Sequence, residues 1–351
     1  MQIIIVNLKL LYIISEACRI PTFKDQCYTC CIKGLEVAMK ETARQQMGFA
    51  WKFSRQGYGK RIWKARYGYL YLLPVFLIMG TFKYYPALTA IAMSFYEWDG
   101  NKYLEFVGFN NFINMWKDTT FLASIKNVAI IAAFEVVKTL TFPLLAAELV
   151  YWMKSRKGKE FYKLVFVIPM IVPGMVIILM WKWIYNPTFG ALNQALALFG
   201  MNTNQAWLGS ADTSLFSVIM VGFPWIGGIA FLIYLGGLQA IPEELYEAAK
   251  MDGANWVYRF FKIDLPLIFG QIRVLVLLAL IHAMNSFENV LVLTNGGPGT
   301  YTMVPALHLY QQGITFNKMG YASAIGVFMF AIILLFTIIS FKINKPEDRT
   351  H

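Results

Sequence analysis

The sequence predicts an all-α protein that crosses a membrane about six times. Three observations predict it. Hydrophobic residues make up 58% of the chain and charged ones only 15%, well below the roughly 25% charge of a soluble domain, so the bilayer is the first solvent to consider. Long apolar runs recur along the chain. Many basic residues collect in the short stretches between those runs, so the net charge of +11 reads as membrane topology rather than as a nucleic-acid surface.

Crossing about 30 Å of hydrocarbon takes roughly 20 helical residues. Runs of that kind lie near residues 69–95, 121–153, 164–185, 215–238, 267–293 and 322–341. Several contain helix breakers: Pro74, Gly80 and Pro86 in the first, Pro169, Pro173 and Gly174 in the third, and Pro224, Gly227 and Gly228 in the fourth. Membrane helices tolerate these where a neighbour or a cavity satisfies the freed backbone groups.

Orientation follows from the Lys and Arg placement, which marks the cytoplasmic side. The first flank holds Lys52, Arg55, Lys60, Arg61, Lys64 and Arg66. The connection between the second and third runs holds Lys154, Arg156, Lys157, Lys159 and Lys163, and that between the fourth and fifth holds Lys250, Arg259 and Lys262. The opposite connections are poorer, with Lys102, Lys117 and Lys318. Both termini are therefore expected in the cytoplasm.

The N-terminal segment 1–66 is expected to be a poorly ordered cytoplasmic extension. Its apolar stretch 3–14 is short and interrupted by Asn7 and Lys9, a weak candidate for a seventh span. An upstream start, with the working protein beginning near Met47, is the other reading. All the cysteines (Cys18, Cys27, Cys30 and Cys31) lie here. No second pair and no nearby His completes a familiar zinc pattern around them. The expected organisation is then a permeating domain over 67–343 and a cytoplasmic tail over 344–351.

The most informative stretch follows the fourth run. It reads Pro242-Glu243-Glu244-Leu245-Tyr246-Glu247-Ala248-Ala249-Lys250-Met251-Asp252-Gly253, then Ile263-Asp264-Leu265-Pro266. Pro with two acidic residues opens a helix well, because Pro suits the first turn and carboxylates suit the positive end of the dipole. Ala248 and Ala249 give a small, flat surface. Gly253 permits a sharp turn or a close backbone approach. An aromatic-rich helix is expected to restart at Trp256 and to stop before Pro266.

Glu-Ala-Ala, three residues, Gly, nine residues, Ile, one residue, Leu-Pro resembles the EAA signature of ABC importer permeases. The match covers every fixed position. The resemblance implies coupling helices, at about 240–266, that dock in a cleft on a separate ATPase subunit. By it, Glu247 pairs with a basic group of the ATPase, Ala248, Ala249 and Gly253 allow close docking, and Leu265 and Pro266 join the loop to the fifth span. The bland alternative is an amphipathic helix lying on the membrane surface, which explains the aromatics but not the spacing.

The resemblance extends from about Tyr67 onward and points to the sugar-permease branch, similar to maltose and glycerol-phosphate permeases. Its further marks are Ser94-Phe95-Tyr96-Glu97-Trp98-Asp99-Gly100, Val107-Gly108-Phe109-Asn110-Asn111-Phe112, Trp183-Ile184-Tyr185-Asn186-Pro187 with Gly190 and Asn193, and Thr294-Asn295-Gly296-Gly297-Pro298. Each alone also suits an ordinary turn; their order along one chain carries the likeness. The fold implied is that of a type I ABC importer permease.

Polar side chains inside spans are costly in hydrocarbon and face a cavity or another helix. In the fifth run His282, Asn285, Ser286 and Asn289 are spaced by three and four, which places them on one helical face. An amide, hydroxyl and imidazole stripe suits a sugar, and in similar permeases this helix contributes to the sugar site. Hydrogen bonding to a neighbouring helix is the competing role. Phe223, Trp225 and Tyr234 in the fourth run offer rings for a pyranose face or for packing, and Trp225 is taken into the candidate pathway. In the second run, Glu135 and Lys138 are three apart and form a candidate intramembrane pair.

The chain contains no Gly-x-x-x-x-Gly-Lys-Ser/Thr loop, so it lacks the usual means of hydrolysing ATP. The resemblance therefore implies a second permease chain, two ATP-binding subunits and an extracellular or periplasmic sugar-binding protein. It implies a location in the bacterial cytoplasmic membrane among lipid, and no cofactor, metal or catalytic group. A secondary transporter would show two similar halves and an acidic relay. A membrane enzyme would need a clustered acid, base or metal, whereas His282, His308 and His351 are scattered. Neither alternative accounts for the loop at 240–266.

Overall fold

The computed structural model describes residues 66–101, 103–201 and 204–342. The cysteines, the basic flank from Lys52 to Lys64, the expected N-terminal extension up to residue 65 and the expected tail lie outside the described residues. By its internal contacts the chain divides into Met1–Lys83 and Tyr84–His351. The first unit contributes helix α1 (Arg66–Met79), which carries Pro74 in its interior and exposes Leu70, Tyr71 and Phe76.

In the second unit, α2 (Tyr85–Met93) leads into an antiparallel hairpin of β1 (Tyr96–Trp98) and β2 (Tyr103–Phe106), with Tyr96 opposite Phe106 and Glu97 opposite Glu105. The short helix α3 (Asn110–Lys117) follows, and its Asn111 amide donates to the carbonyls of Ser94 and Tyr96, pinning the hairpin. Helix α4 (Thr119–Trp152) has 34 residues, a length of about 50 Å, more than the hydrocarbon requires. Helices α5 (Arg156–Val167), α6 (Gly174–Ile184), α7 (Ala191–Leu198), α8 (Ala211–Met220) and α9 (Gly228–Gln239) come next. They are followed by α10 (Glu243–Met251), α11 (Trp256–Arg259), α12 (Leu265–Leu267), α13 (Phe269–Met284), α14 (Glu288–Leu293), α15 (Pro305–Tyr310) and α16 (Met319–Lys342).

Among the described residues, three helical runs are long and apolar enough to cross a membrane: Tyr67–Met93, Thr119–Trp152 and Met319–Lys342. They match the first, second and sixth expected spans. The expected third, fourth and fifth spans are not single straight helices. Arg156–Ile171 and Gly174–Ile184 meet at 90°, because Pro173 lacks an N–H and forces Val172 into an extended conformation. The fourth divides into α8 and α9, of 10 and 12 residues, each too short to cross alone. In the fifth, α13 ends at Met284 and α14 begins at Glu288. Counting each bent pair as one span raises the number to five.

Two apolar cores occupy successive levels along α4. One contains Phe121, Val128 and Ile131 of α4 with Val218, Ile219, Met284, Val290, Leu307 and Ile325. The other contains Leu144, Ala147 and Val150 of α4 with Phe231, Tyr234, Leu238, Ile268, Ile272 and Leu275. The segment 221–227, which separates α8 from α9, falls between the two. Outside the cores, Leu179, Phe330, Leu335 and Phe341 are exposed, an apolar surface suited to hydrocarbon rather than water.

At the end of α4 distant from Trp152, Asp118 caps the helix by accepting from the amides of Thr120 (2.8 Å) and Phe121 (3.3 Å). His308 Nε2 lies 2.9 Å from its second oxygen, and Tyr321 Oη donates to the same oxygen at 2.9 Å. One carboxylate thus ties α4, α15 and α16 together. Burial alone would raise the Asp118 pKa, but the Tyr321 bond, the His308 charge and the two amides together hold it below the ordinary 3.8. A depressed carboxylate contributes stability that is present above the ordinary value and is lost as pH falls through the lower, folded value. Asp118→Ala is expected to cost about 2 kcal/mol, seen as a lower melting temperature of the purified protein in detergent, with a weaker dependence of melting on acid than the wild type.

Candidate functional site

The stretch 242–266 folds as helix, turn and helix. Glu243 and Glu244 occupy the first turn of α10 and Lys250 the last, each favourable to the helix dipole. The helix closes with Gly253 at φ +72°. There the Ala254 amide donates to the Ala249 carbonyl (2.9 Å) and the Gly253 amide to that of Lys250 (3.1 Å), the Schellman pattern. A side chain at Gly253 would meet no neighbour, so the glycine serves the left-handed turn and leaves the surface open. Asn255 then caps α11 by accepting from the Tyr258 amide at 2.8 Å.

The second helix does not stop before Pro266. A π turn at Phe260–Asp264 precedes Pro266, and the helix ends at Leu267. The wider turn accommodates a residue without an N–H, where an α-helical ladder would lose a bond. Beyond the buried Ile268 the chain bends by 71° into α13. Leu265 and Pro266 therefore sit just before the elbow between the loop and α13.

The face of this motif is built from small residues. A cavity of about 520 Å³ is lined by Leu245, Ala248, Ala249, Gly253 and Tyr258, among others. Glu247 and Ala248 are exposed, and Glu247 has no hydrogen bond or ion pair among the described residues. Tyr246 points the other way, into the core beside Leu238 and Ile268. Its hydroxyl donates to Asp264 Oδ1 at 2.8 Å. Burial first, then that bond and the Asp264 charge, push the Tyr246 phenol far above its ordinary value, so it remains a donor at physiological pH. The result is a helical pair with an open face of small residues, edged by the exposed Glu247.

A second constellation lies at the level between the two cores. The segment 221–227 has Gly222 at φ +80°, a cis Phe223-Pro224 bond and Trp225 at φ +56°. A bulky residue in the left-handed region is strained and marks a place worth functional attention. The Trp225 ring lies 5.0 Å from that of Phe223 and 5.2 Å from that of Phe142. Lys138 Nζ sits 5.2 Å from the Trp225 ring and 2.7 Å from Glu135 Oε1. Glu135, Lys138 and Phe142, spaced by three and four, present one face of α4 to the break. Phe142 was not among the expected site residues; its place four residues after Lys138 is the signal that could have found it.

The other expected pathway residues sit at the break in the fifth span. His282 and Asn285 are exposed, and Ser286 and Asn289 are half-buried. They do not share one continuous helical face, because α13 ends at Met284 and its neighbours Asn285 and Ser286 turn their side chains back to the carbonyls of Ile281 (2.8 Å) and Ala283 (2.7 Å). Among the described residues, no hydrogen bond or ring contact joins this set to Trp225.

The motifs near the opposite ends of the spans are architectural. Asn186 Oδ1 accepts from the amides of Thr188 and Phe189, and Asn193 bridges the carbonyls of Pro187 and Gln205. The turn at 294–298 holds Asn295 and Gly296 at positive φ, and Asn127 of α4 donates to the following carbonyls of Thr300 and Met303, each at 2.9 Å. These contacts brace the bundle.

Comparison with known proteins adds to this geometry. Residues 139–346 match the family model described as "Binding-protein-dependent transport system inner membrane component". The chain is 33% identical over 279 residues to the probable ABC transporter permease protein YurN of Bacillus subtilis, covering 79% of this chain and 95% of that one. It is 31% identical over 284 residues to the diacetylchitobiose uptake system permease protein NgcF of Streptomyces coelicolor, covering 78% and 80%. Its fold is similar to a chain in the crystal structure of a bacterial ABC transporter involved in the import of the acidic polysaccharide alginate, with a TM-score of 0.71 and 23% identity over 82% of this chain and 99% of that one.

Proposed function

The chain belongs to the family of binding-protein-dependent transport system inner membrane components, and from that premise we propose that it forms half of the translocation pathway for a sugar or oligosaccharide. It is a membrane-integral permease subunit of an ABC importer, a transport component without an ATPase site of its own. A second permease chain completes the pathway, two ATP-binding subunits drive it, and an extracellular or periplasmic binding protein delivers the sugar. The substrate class follows the relatives: one is the permease of a diacetylchitobiose uptake system, and the alginate transporter of similar fold has been crystallised with a periplasmic protein bound to an alginate pentasaccharide.

The observation that carries the reading is the helical pair at 242–266, with Glu247 exposed, and unpaired among the described residues, over a face of Ala248, Ala249 and Gly253. In this proposal Glu247 meets a basic group of the ATPase, the small residues admit its surface, and the elbow at Leu265 and Pro266 passes movement into the fifth span. The sugar crosses at the level of Trp225, with His282, Asn285, Ser286 and Asn289 at the break in the fifth span. Basic residues at 154–163 and 250–262 support a reading in which the loop and both termini face the cytoplasm.

Affinity purification of the chain from native membranes in mild detergent, with mass spectrometry of the companions, tests the assembly. A P-loop ATPase and a second permease bearing an EAA loop are expected. A chain that purifies alone and transports without ATP overturns the proposal and favours a secondary transporter.

A further inference from the structure

Beneath the docking face lies a buried ionic cluster that the signature does not include. Asp264 has no exposed surface, and Glu148, near the end of α4, is 1% exposed. Two carboxylates so placed are costly unless paired. One guanidinium lies among them. Arg259 Nε donates to Asp264 Oδ2 at 3.4 Å, and the guanidinium stacks 3.5 Å from the centre of the Trp152 ring. The Trp152 indole N–H in turn donates to Glu148 Oε2 at 3.1 Å, and the Tyr246 hydroxyl closes the set on Asp264.

Two of these contacts join separate segments, for Glu148 with Trp152 lies within the last turn of α4 and Arg259 with Asp264 within the second helix of the loop. Tyr246 to Asp264 ties α10 to the second helix of the loop, and Arg259 to Trp152 ties that helix to α4. The Trp152 and Tyr246 rings, 4.9 Å apart and edge to face, add a direct tie between α10 and α4. Apolar side chains of similar size would fill this space without desolvating any charge, whereas ionic groups hold one register. Glu148 Oε1 and Arg259 Nη2 are both buried without a hydrogen-bond partner among the described residues.

We infer that Asp264, Arg259, Tyr246, Glu148 and Trp152 form a joint that fastens both loop helices to the end of α4, so that movement of the docking face displaces α4 as well as the fifth span. The inference rests on the coupling role proposed for the loop. Helix α4 also carries Lys138 and Phe142 beside Trp225, so the joint offers a second mechanical route from the ATPase to the candidate sugar level. These are positioning residues; none touches substrate.

The test uses the assembled transporter in proteoliposomes, measuring uptake and ATP hydrolysis together for wild type, Arg259→Ala, Asp264→Asn, Asp264→Leu and the milder Tyr246→Phe. Spin labels at the exposed Met251 and Lys157 report the distance between the loop and the start of α5. In Arg259→Ala and Asp264→Leu the ATPase is expected to stay bound and hydrolysis to persist, while uptake falls roughly tenfold and the distance distribution broadens. Asp264→Asn, still able to accept from Tyr246, recovers most of the uptake. Uptake and hydrolysis that fall in proportion, or an unchanged distance distribution in every variant, overturn the joint. Failure of the coupling role itself is separately visible: Glu247→Lys would then leave ATPase binding and uptake intact, whatever the joint variants do.

Discussion

Replacing Glu247 by Lys is expected to lower ATP-driven uptake by about a hundredfold, while the permease remains folded in the membrane. The argument is one of location. Glu247 has no partner among the described residues and projects from the exposed side of α10, so its loss removes nothing from this chain's own stability. In the proposed complex the same change would remove one partner of an interfacial charge pair and place like charges together, which costs several kcal/mol where the pair is desolvated. Melting temperature in detergent is expected to match the wild type, and recovery of the ATPase subunit is expected to fall. Gln at this position, neutral and similar in size, is expected to sit between the two. A Glu247→Lys protein with wild-type uptake would remove the carboxylate from the docking contact.

Trp225→Ala is expected to raise the apparent KM for sugar uptake roughly tenfold, with ATPase association unchanged. The ring is held by its left-handed backbone, by Phe142 and Phe223 and by the Lys138 ammonium. It is only half-buried within the chain. A stacked, partly open indole suits the C–H face of a pyranose, and its removal lowers affinity more than turnover. Trp225→Phe, which keeps a ring, is expected to show a smaller rise. The indole N–H donates to the Val221 carbonyl at 3.1 Å, so a packing role predicts a different outcome: a lower melting temperature in both variants with KM unchanged.

Much of this architecture is legible in the sequence, for reasons that differ by element. Helices such as Thr119–Trp152 and Met319–Lys342 are long apolar runs, and run length alone reveals them. The breakers Pro173, Gly174, Pro224 and Gly227 are equally visible, but whether a breaker bends a span by 90° or divides it depends on which neighbours receive the freed backbone groups. The π turn before Pro266 belongs to the same class: the proline is apparent and the way the helix absorbs it is not. In the loop at 242–266 the spacing of Glu247, Ala248, Ala249 and Gly253 is local, so a single helix and turn convert sequence order directly into geometry.

Contacts across long separations behave otherwise. Asp118 and His308 are 190 positions apart, and nothing near either residue announces the other. His308 looked isolated in the sequence and is the buried partner of a helix cap. Asp264 occupied a variable place within a recognisable signature, and Glu148 stood near the end of an apolar run; only the packing of α4 against the loop brings the two carboxylates to one guanidinium. The polar set in the fifth span shows the converse. His282, Asn285, Ser286 and Asn289 have the spacing of a helical face, yet the helix ends among them, because asparagine and serine side chains compete for the last carbonyls.

The most direct measurement of the central claim is uptake of a labelled oligosaccharide into proteoliposomes containing this chain with its co-purified partners, with the binding protein outside and ATP inside. Accumulation that requires ATP, the binding protein and an intact Glu247 is the result expected. Accumulation that persists without ATP or without the ATPase subunits, or that follows a proton or sodium gradient, would contradict it.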